Sequence, residues 1–169
     1  MKTALLVVDM QISLIDEGPW NSDALLDKIE KLIGFARQNS VLVVFMLDTR
    51  VEPNMSLHPR LQSKSEDLLL SKDFCDSFLN THLDDELQKR NIKQLVVVGL
   101  QTDYCIDTTC RQAASLGYTV QLVGDAHSTF PQNTINAEQI IAHHNWILRR
   151  FSAHRGSVSV VESKDIVFA

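Results

Sequence analysis

The sequence predicts an α/β protein in which a mostly parallel sheet lies between layers of helices. Two observations carry this. The apolar runs at 3–8, 41–47, 94–98, 118–123 and 158–161 are nearly continuous rather than alternating, as expected of strands covered on both faces. Segments with apolar residues at helical spacing separate these runs, so strand and helix alternate along the chain. A length of 169 residues, with no internal repeat, low-complexity stretch or linker, fits one domain spanning residues 1–169.

The elements follow in order. Residues 3–8 form the first strand, closed by Asp9. After an irregular segment containing Gly18-Pro19-Trp20, Asn21 or Ser22 is placed to cap a helix whose Leu25, Leu26, Ile29, Leu32, Ile33 and Ala36 recur at helical spacing. That helix ends near Asn39, and residues 41–47 complete a β-α-β unit. Residues 48–66 show no period and read as a long loop with at most one helical turn, the kind of segment that carries function. A short third strand at 68–70 ends at Ser71-Lys72. Asn80 or Thr81 is placed to cap a helix reaching about Asn91, with Leu83 and Leu87 facing inward. The fourth strand is 94–98, followed by a helix at 104–116 and a fifth strand at 118–123. Gly124-Asp125-Ala126-His127 follows, then a last helix at 136–151 and a sixth strand at 158–161.

Composition narrows the function classes. Hydrophobic content of 44% and charged content of 22% describe a folded chain. A net charge of −5, with no basic cluster beside aromatics, predicts no nucleic-acid partner. The five apolar residues before Asp9 are too few for a signal segment or a membrane span, so no membrane association and a cytoplasmic location are expected. Cysteines at 75, 105 and 110, an odd number, fit a reducing compartment rather than a disulfide framework, and their spacing lacks the pattern of a structural zinc site.

Position then brings chemistry together. In an open parallel sheet, ligands bind beyond the carboxyl ends of the strands, where strand order reverses. Asp9 ends strand one, Lys72 ends strand three, Cys105 follows strand four and His127 follows strand five, so all four fall on one sheet edge. Cys105 lies near the start of a helix, where unpaired N–H groups and the helix dipole favour an anion and ease thiol ionisation. A cysteine there is more often structural than catalytic. Together with a carboxylate that accepts its proton and an ammonium that stabilises both anions, it becomes a candidate nucleophile.

The residues Asp9-Met10-Gln11, Lys72 followed by Phe78, Thr81 and Leu83, Gly99-x-x-Thr102-Asp103-x-Cys105-Ile106, and Gly117-Tyr118-x-Val120 with Asp125-Ala126 resemble the isochorismatase-like cysteine hydrolase superfamily. The resemblance implies a Rossmann-like three-layer α/β/α fold with a six-stranded sheet of order 3-2-1-4-5-6. It implies a catalytic triad of Asp9, Lys72 and Cys105. It also implies an oxyanion hole from the backbone N–H groups of Gln101 and Cys105, and a cis peptide between Leu100 and Gln101. The activity implied is hydrolysis of a small-molecule amide-like C–N bond through a thioester on Cys105. Enol-ether cleavage of isochorismatase type, and a non-catalytic binding role on the same fold, stand as alternatives.

Departures from the family pattern refine this. Nicotinamidases resemble the chain but carry an Asp-x-His metal motif after strand two, where this chain reads Asp48-Thr49-Arg50. No catalytic metal and no cofactor are therefore expected. Gln11, Arg50 and His127 are candidate substrate-binding residues. Arg50 offers a two-point guanidinium contact for a carboxylate, and His127 a ring that titrates near neutral pH. The adjacent His143-His144 of the last helix point in directions about 100° apart and read as surface or subunit contact. Cys75 and Cys110 read as structural. The family resemblance and the apolar last helix together predict a homo-oligomer acting on a small-molecule substrate.

Overall fold

The apolar runs are strands, each parallel to its neighbours. In the computed structural model, which describes residues 1–168, β1 (Thr3–Val8), β2 (Leu42–Asp48), β3 (Leu68–Lys72), β4 (Gln94–Leu100), β5 (Thr119–Ser128) and β6 (Ser157–Val161) form one sheet in the order β3-β2-β1-β4-β5-β6. The helices are α1 (Ile12–Asp16), α2 (Ser22–Gln38), α3 (Leu83–Lys89), α4 (Asp107–Leu116) and α5 (Ala137–Leu148). A π-helical turn, Thr102–Ile106, leads into α4.

Period-two alternation explains why the strands are apolar throughout. Ala4, Leu6 and Val8 of β1 pack with Leu83 and Leu87 of α3 and Ala113 of α4, whereas Leu5 and Val7 pack with Leu26, Ile29 and Ile33 of α2. Every residue of β1 is buried, so both faces of the central strand drive the two outer layers onto the sheet.

Four local departures from the sequence expectation have physical causes. α1 occupies part of the segment read as irregular, and five residues are too few to show a helical period. α3 starts at Leu83, because the Thr81 hydroxyl donates to Ser77 O (2.7 Å) and accepts from the Leu83 N–H (3.3 Å). Asn21 precedes α2 with φ 54° and no side-chain cap, whereas Asn136 caps α5 in a reciprocal box with Gln139. β5 runs five residues past Val123, because polar side chains there bond sideways. Asp125 accepts from Lys28 (2.5 Å) and from the Ser163 N–H (2.7 Å), for example.

Two features of the sheet position the site. β1 and β4 are neighbours at the reversal of strand order, with Val8 opposite Gly99. A Cβ at Gly99, whose φ is 121°, would lie 2.1 Å from Val8 O, so only glycine allows β4 to pass β1 this closely. The β4–β5 register moves two residues along β4, from Val97 to Gly99, against five along β5, from Leu122 to His127. That irregularity brings His127 opposite Gly99. α5 leaves Trp146 and Ile147 exposed, with the Arg149 guanidinium stacked on the Trp146 ring at 3.4 Å. Among the described residues no helix is long and apolar enough to cross a membrane.

Candidate active site

Three strand ends and one turn meet at the carboxyl edge of the sheet. Asp9 follows β1 with a positive φ of 53°, a conformation costly for a non-glycine residue and held here by its N–H bond to Met46 O at 2.9 Å. Lys72 is the last residue of β3 and pairs in register with Asp48, the last of β2. Its side chain reaches across the end of β2 toward β1. Cys105 lies in the π-helical turn after β4.

Lys72 joins these groups. Its ammonium lies 2.9 Å from Asp9 Oδ2, 3.2 Å from Asp48 Oδ2, 3.3 Å from Cys105 Sγ and 3.0 Å from Phe74 O, with a fully buried side chain. Asp9 Oδ1 is buried and has no hydrogen-bond partner. Ligand-capable atoms of Asp9, Asp48 and Cys105 lie within 4.8 Å of one another, as a metal trio would, but the ammonium contacts all three. A cation already stands where an ion would bind.

Electrostatics assign the proton. Burial raises the Asp9 carboxyl to about 6, against the pull of Lys72 and of the Cys105 thiol. Burial and the Asp9 charge also push the Cys105 thiol up, with Lys72 opposing. The expectation of an easily ionised thiol at a helix start is thus corrected: Cys105 is only 6% exposed and faces a carboxylate, and both push its thiol up. Above about pH 6 the site holds a thiol beside a carboxylate.

Asp48 behaves differently. Burial would raise its pKa, but the Arg50 side chain and N–H, together with Lys72, bring it down to about 2. Arg50 Nε and Nη2 bind the two Asp48 oxygens at 2.9 and 2.6 Å. The two-point fork expected to hold a substrate carboxylate is therefore engaged within the protein, and the half-exposed guanidinium presents only its remaining edge to the cavity.

The other two candidate binding residues lie away from the chemistry. Gln11 is fully buried, and its amide binds Asp48 O (2.9 Å), Met55 O (2.8 Å) and the Asp48 N–H (2.8 Å). It fastens the 49–58 loop to the strand ends and takes no part in the lining of the cavity above Cys105. His127 is 3% exposed, with Nδ1 2.8 Å from Thr102 Oγ1 and Nε2 2.9 Å from Asn145 Oδ1. Burial depresses its pKa to about 4, so the ring is neutral at pH 7 and both of its nitrogens are engaged within the protein.

The cavity above Asp9 and Cys105 has a volume of about 490 Å³. Leu14, Val51 and Tyr104 supply apolar wall, and Cys75, assigned a structural role from sequence, lies in the lining. A larger hollow of about 560 Å³ beside Lys2, Arg37 and Arg90 opens at the opposite edge of the sheet and has no cysteine in its lining. The Leu100–Gln101 peptide is cis. Gln101 O accepts from the N–H groups of Tyr104 (3.2 Å) and Ile106 (3.0 Å). Among the described residues the Gln101 N–H has no acceptor, and that of Cys105 none outside its own turn. Sequence reasoning missed Asp48 as the third partner of Lys72. Its place at the end of β2, matching that of Asp9 after β1, was the available signal.

The Isochorismatase domain family matches residues 3–147. The chain belongs to the isochorismatase family. An uncharacterized isochorismatase family protein of Bacillus subtilis (strain 168) is 32% identical over 143 residues, covering 76% of this chain and 79% of the relative. A streptothricin hydrolase of Streptomyces noursei is 30% identical over 137 residues, covering 75% of this chain and 50% of the relative. The crystal structure of an isochorismatase family protein superposes with a TM-score of 0.85 at 28% identity, covering 95% of this chain and 98% of that one.

Proposed function

We propose that this isochorismatase-family chain is a metal-independent cysteine hydrolase that cleaves an amide-like C–N bond of a small molecule through a thioester on Cys105. The observation that carries this reading is the buried Lys72 ammonium, 2.9 Å from Asp9 and 3.3 Å from Cys105, beneath a cavity of about 490 Å³.

The steps follow from the geometry. Asp9, ionised above about pH 6, accepts the thiol proton as Cys105 Sγ attacks the carbonyl carbon. Lys72 stabilises the sulfur and the carboxylate as charge moves between them. The carbonyl oxygen becomes an oxyanion that accepts from the N–H groups of Gln101 and Cys105. Asp9 returns the proton to the leaving nitrogen, the C–N bond breaks and a thioester remains. Water then gives a proton to Asp9 and attacks the thioester, and the Cys105 sulfur is reprotonated as the acid departs.

A screen for ammonia release over primary amides and ureido acids tests the reading. Turnover by the native protein and its loss in Cys105→Ala are expected. Unchanged turnover in Cys105→Ala, or pyruvate release from isochorismate faster than any amide is cleaved, would overturn it.

A further inference from the structure

We propose that Thr102 and His127 form a positioning pair that holds the turn from Gln101 to Cys105 in the geometry its two anion-facing N–H groups require. The inference rests on the thioester reading above and adds residues that never touch the substrate.

The bonding has a fixed direction. Asn145 Nδ2 donates to Gly124 O at 2.8 Å, which turns Asn145 Oδ1 toward His127 Nε2 at 2.9 Å. Nε2 must therefore carry the ring proton, and in a neutral imidazole Nδ1 is then an acceptor. It accepts from the Thr102 hydroxyl at 2.8 Å. One tautomer thus links α5, the tip of β5 and the first residue of the π-helical turn. Thr102 is 0% exposed and His127 3%, so neither group can exchange this bond for water, and losing either partner leaves a buried polar atom unpaired.

The link bears on the chemistry because Thr102 lies between the two N–H donors. Gln101 precedes it, and Cys105 lies three residues further along the same turn. The β4–β5 irregularity acquires a purpose, since it sets His127 opposite Gly99, two residues before Gln101. A second fastening acts nearer the surface, where the Asp103 carboxylate accepts from Thr129 Oγ1 (2.5 Å) and Gln132 Nε2 (2.6 Å). The tip of β5 and the segment just after it therefore grip two successive side chains of the turn, and the Thr102 bond is the buried, directional one.

The test uses Thr102→Val, which keeps the shape and removes the hydroxyl, beside Thr102→Ser, which keeps the hydroxyl. Two rates are compared in the full chain. The first is the Cys105-dependent burst of p-nitrophenolate from p-nitrophenyl acetate, which forms a thioester through an oxyanion. The second is alkylation of Cys105 by iodoacetamide, in which an S–C bond forms, iodide leaves and no oxyanion develops. In Thr102→Val the burst is expected to slow about 10²-fold, the scale of a misplacement near 1 Å. Alkylation should keep its native rate, and Thr102→Ser should restore most of the burst. A native burst rate in folded Thr102→Val, or a parallel fall in burst and alkylation, overturns the proposal. If Thr102→Val does not fold, Asn145→Ala at a half-buried position tests the same link, with a burst slowed about 10-fold expected as the milder version of that misplacement. An unchanged burst there overturns it. A native protein with no burst above Cys105→Ala contradicts the thioester reading and this inference with it.

Discussion

Replacing Lys72 with Met should move the acid limb of the pH profile. Asp9 lies under two opposing influences, burial that raises its pKa and the Lys72 ammonium that lowers it, with a result of about 6. At 2.9 Å the attraction of Lys72 for Asp9 is about 6 kcal/mol at an effective dielectric of about 20. Removing it frees the burial effect and shifts Asp9 upward by several pH units at about 1.4 kcal/mol each. The sign is fixed: Asp9 must be ionised to accept the thiol proton, so activity is present above its pKa and lost as pH falls through it. The native acylation burst should therefore rise through about pH 6, and that of Lys72→Met only above about pH 9, with about a 10²-fold loss at pH 7. The fold should survive, because Asp9 becomes neutral and Asp48 keeps its two bonds to Arg50 at 2.6 and 2.9 Å. The assay is the burst rate against pH, followed at the isosbestic wavelength of p-nitrophenol. A limb that stays near pH 6 in Lys72→Met would refute the reasoning.

Other perturbations separate structure from chemistry. Gln11→Ala removes two buried hydrogen bonds and a part-buried one and should cost about 2–4 kcal/mol, read as a lowered thermal midpoint with unchanged KM. A raised KM at native stability would instead place Gln11 on the substrate. Gly99→Ala puts a Cβ 2.1 Å from Val8 O and should cost at least about 3 kcal/mol in urea unfolding; a loss below about 1 kcal/mol would contradict the close approach. Asp48 has a pKa near 2 when folded and higher when unfolded, so its stabilisation is present above pH 4 and lost as pH falls toward 2. Allowing for solvent screening of half-exposed Arg50, that loss is about 1–2 kcal/mol, and Arg50→Met should abolish most of it in acid unfolding curves.

The fold was legible in the sequence wherever burial imposed a pattern. The apolar run from Ala4 to Val8 marks a strand buried on both sides, and Leu25 to Ala36 marks α2 by its period. The end of β5 was not legible, because Asp125 and His127 look like loop residues until their partners, Lys28 and Asn145, are known. At the site, position alone brings Asp9, Lys72 and Cys105 to one sheet edge, where the Lys72 ammonium contacts both the Asp9 carboxylate and the Cys105 sulfur. The internal partners of Gln11 and His127 were not legible for one reason. Reactive groups near a pocket look alike in sequence, and only the full set of hydrogen-bond partners shows that these two are saturated inside the protein. The thiol was misjudged because helix position is visible in sequence while the burial of Cys105 against Asp9 is not.

The central claim, a thioester on Cys105, is tested most directly by partitioning with hydroxylamine. A thioester formed from the amide identified in the screen should transfer its acyl group to hydroxylamine as well as to water. Hydroxamate should then appear beside the acid, and both should vanish in Cys105→Ala. Acid formed without hydroxamate, or hydroxamate formed at the native rate by Cys105→Ala, would contradict the account.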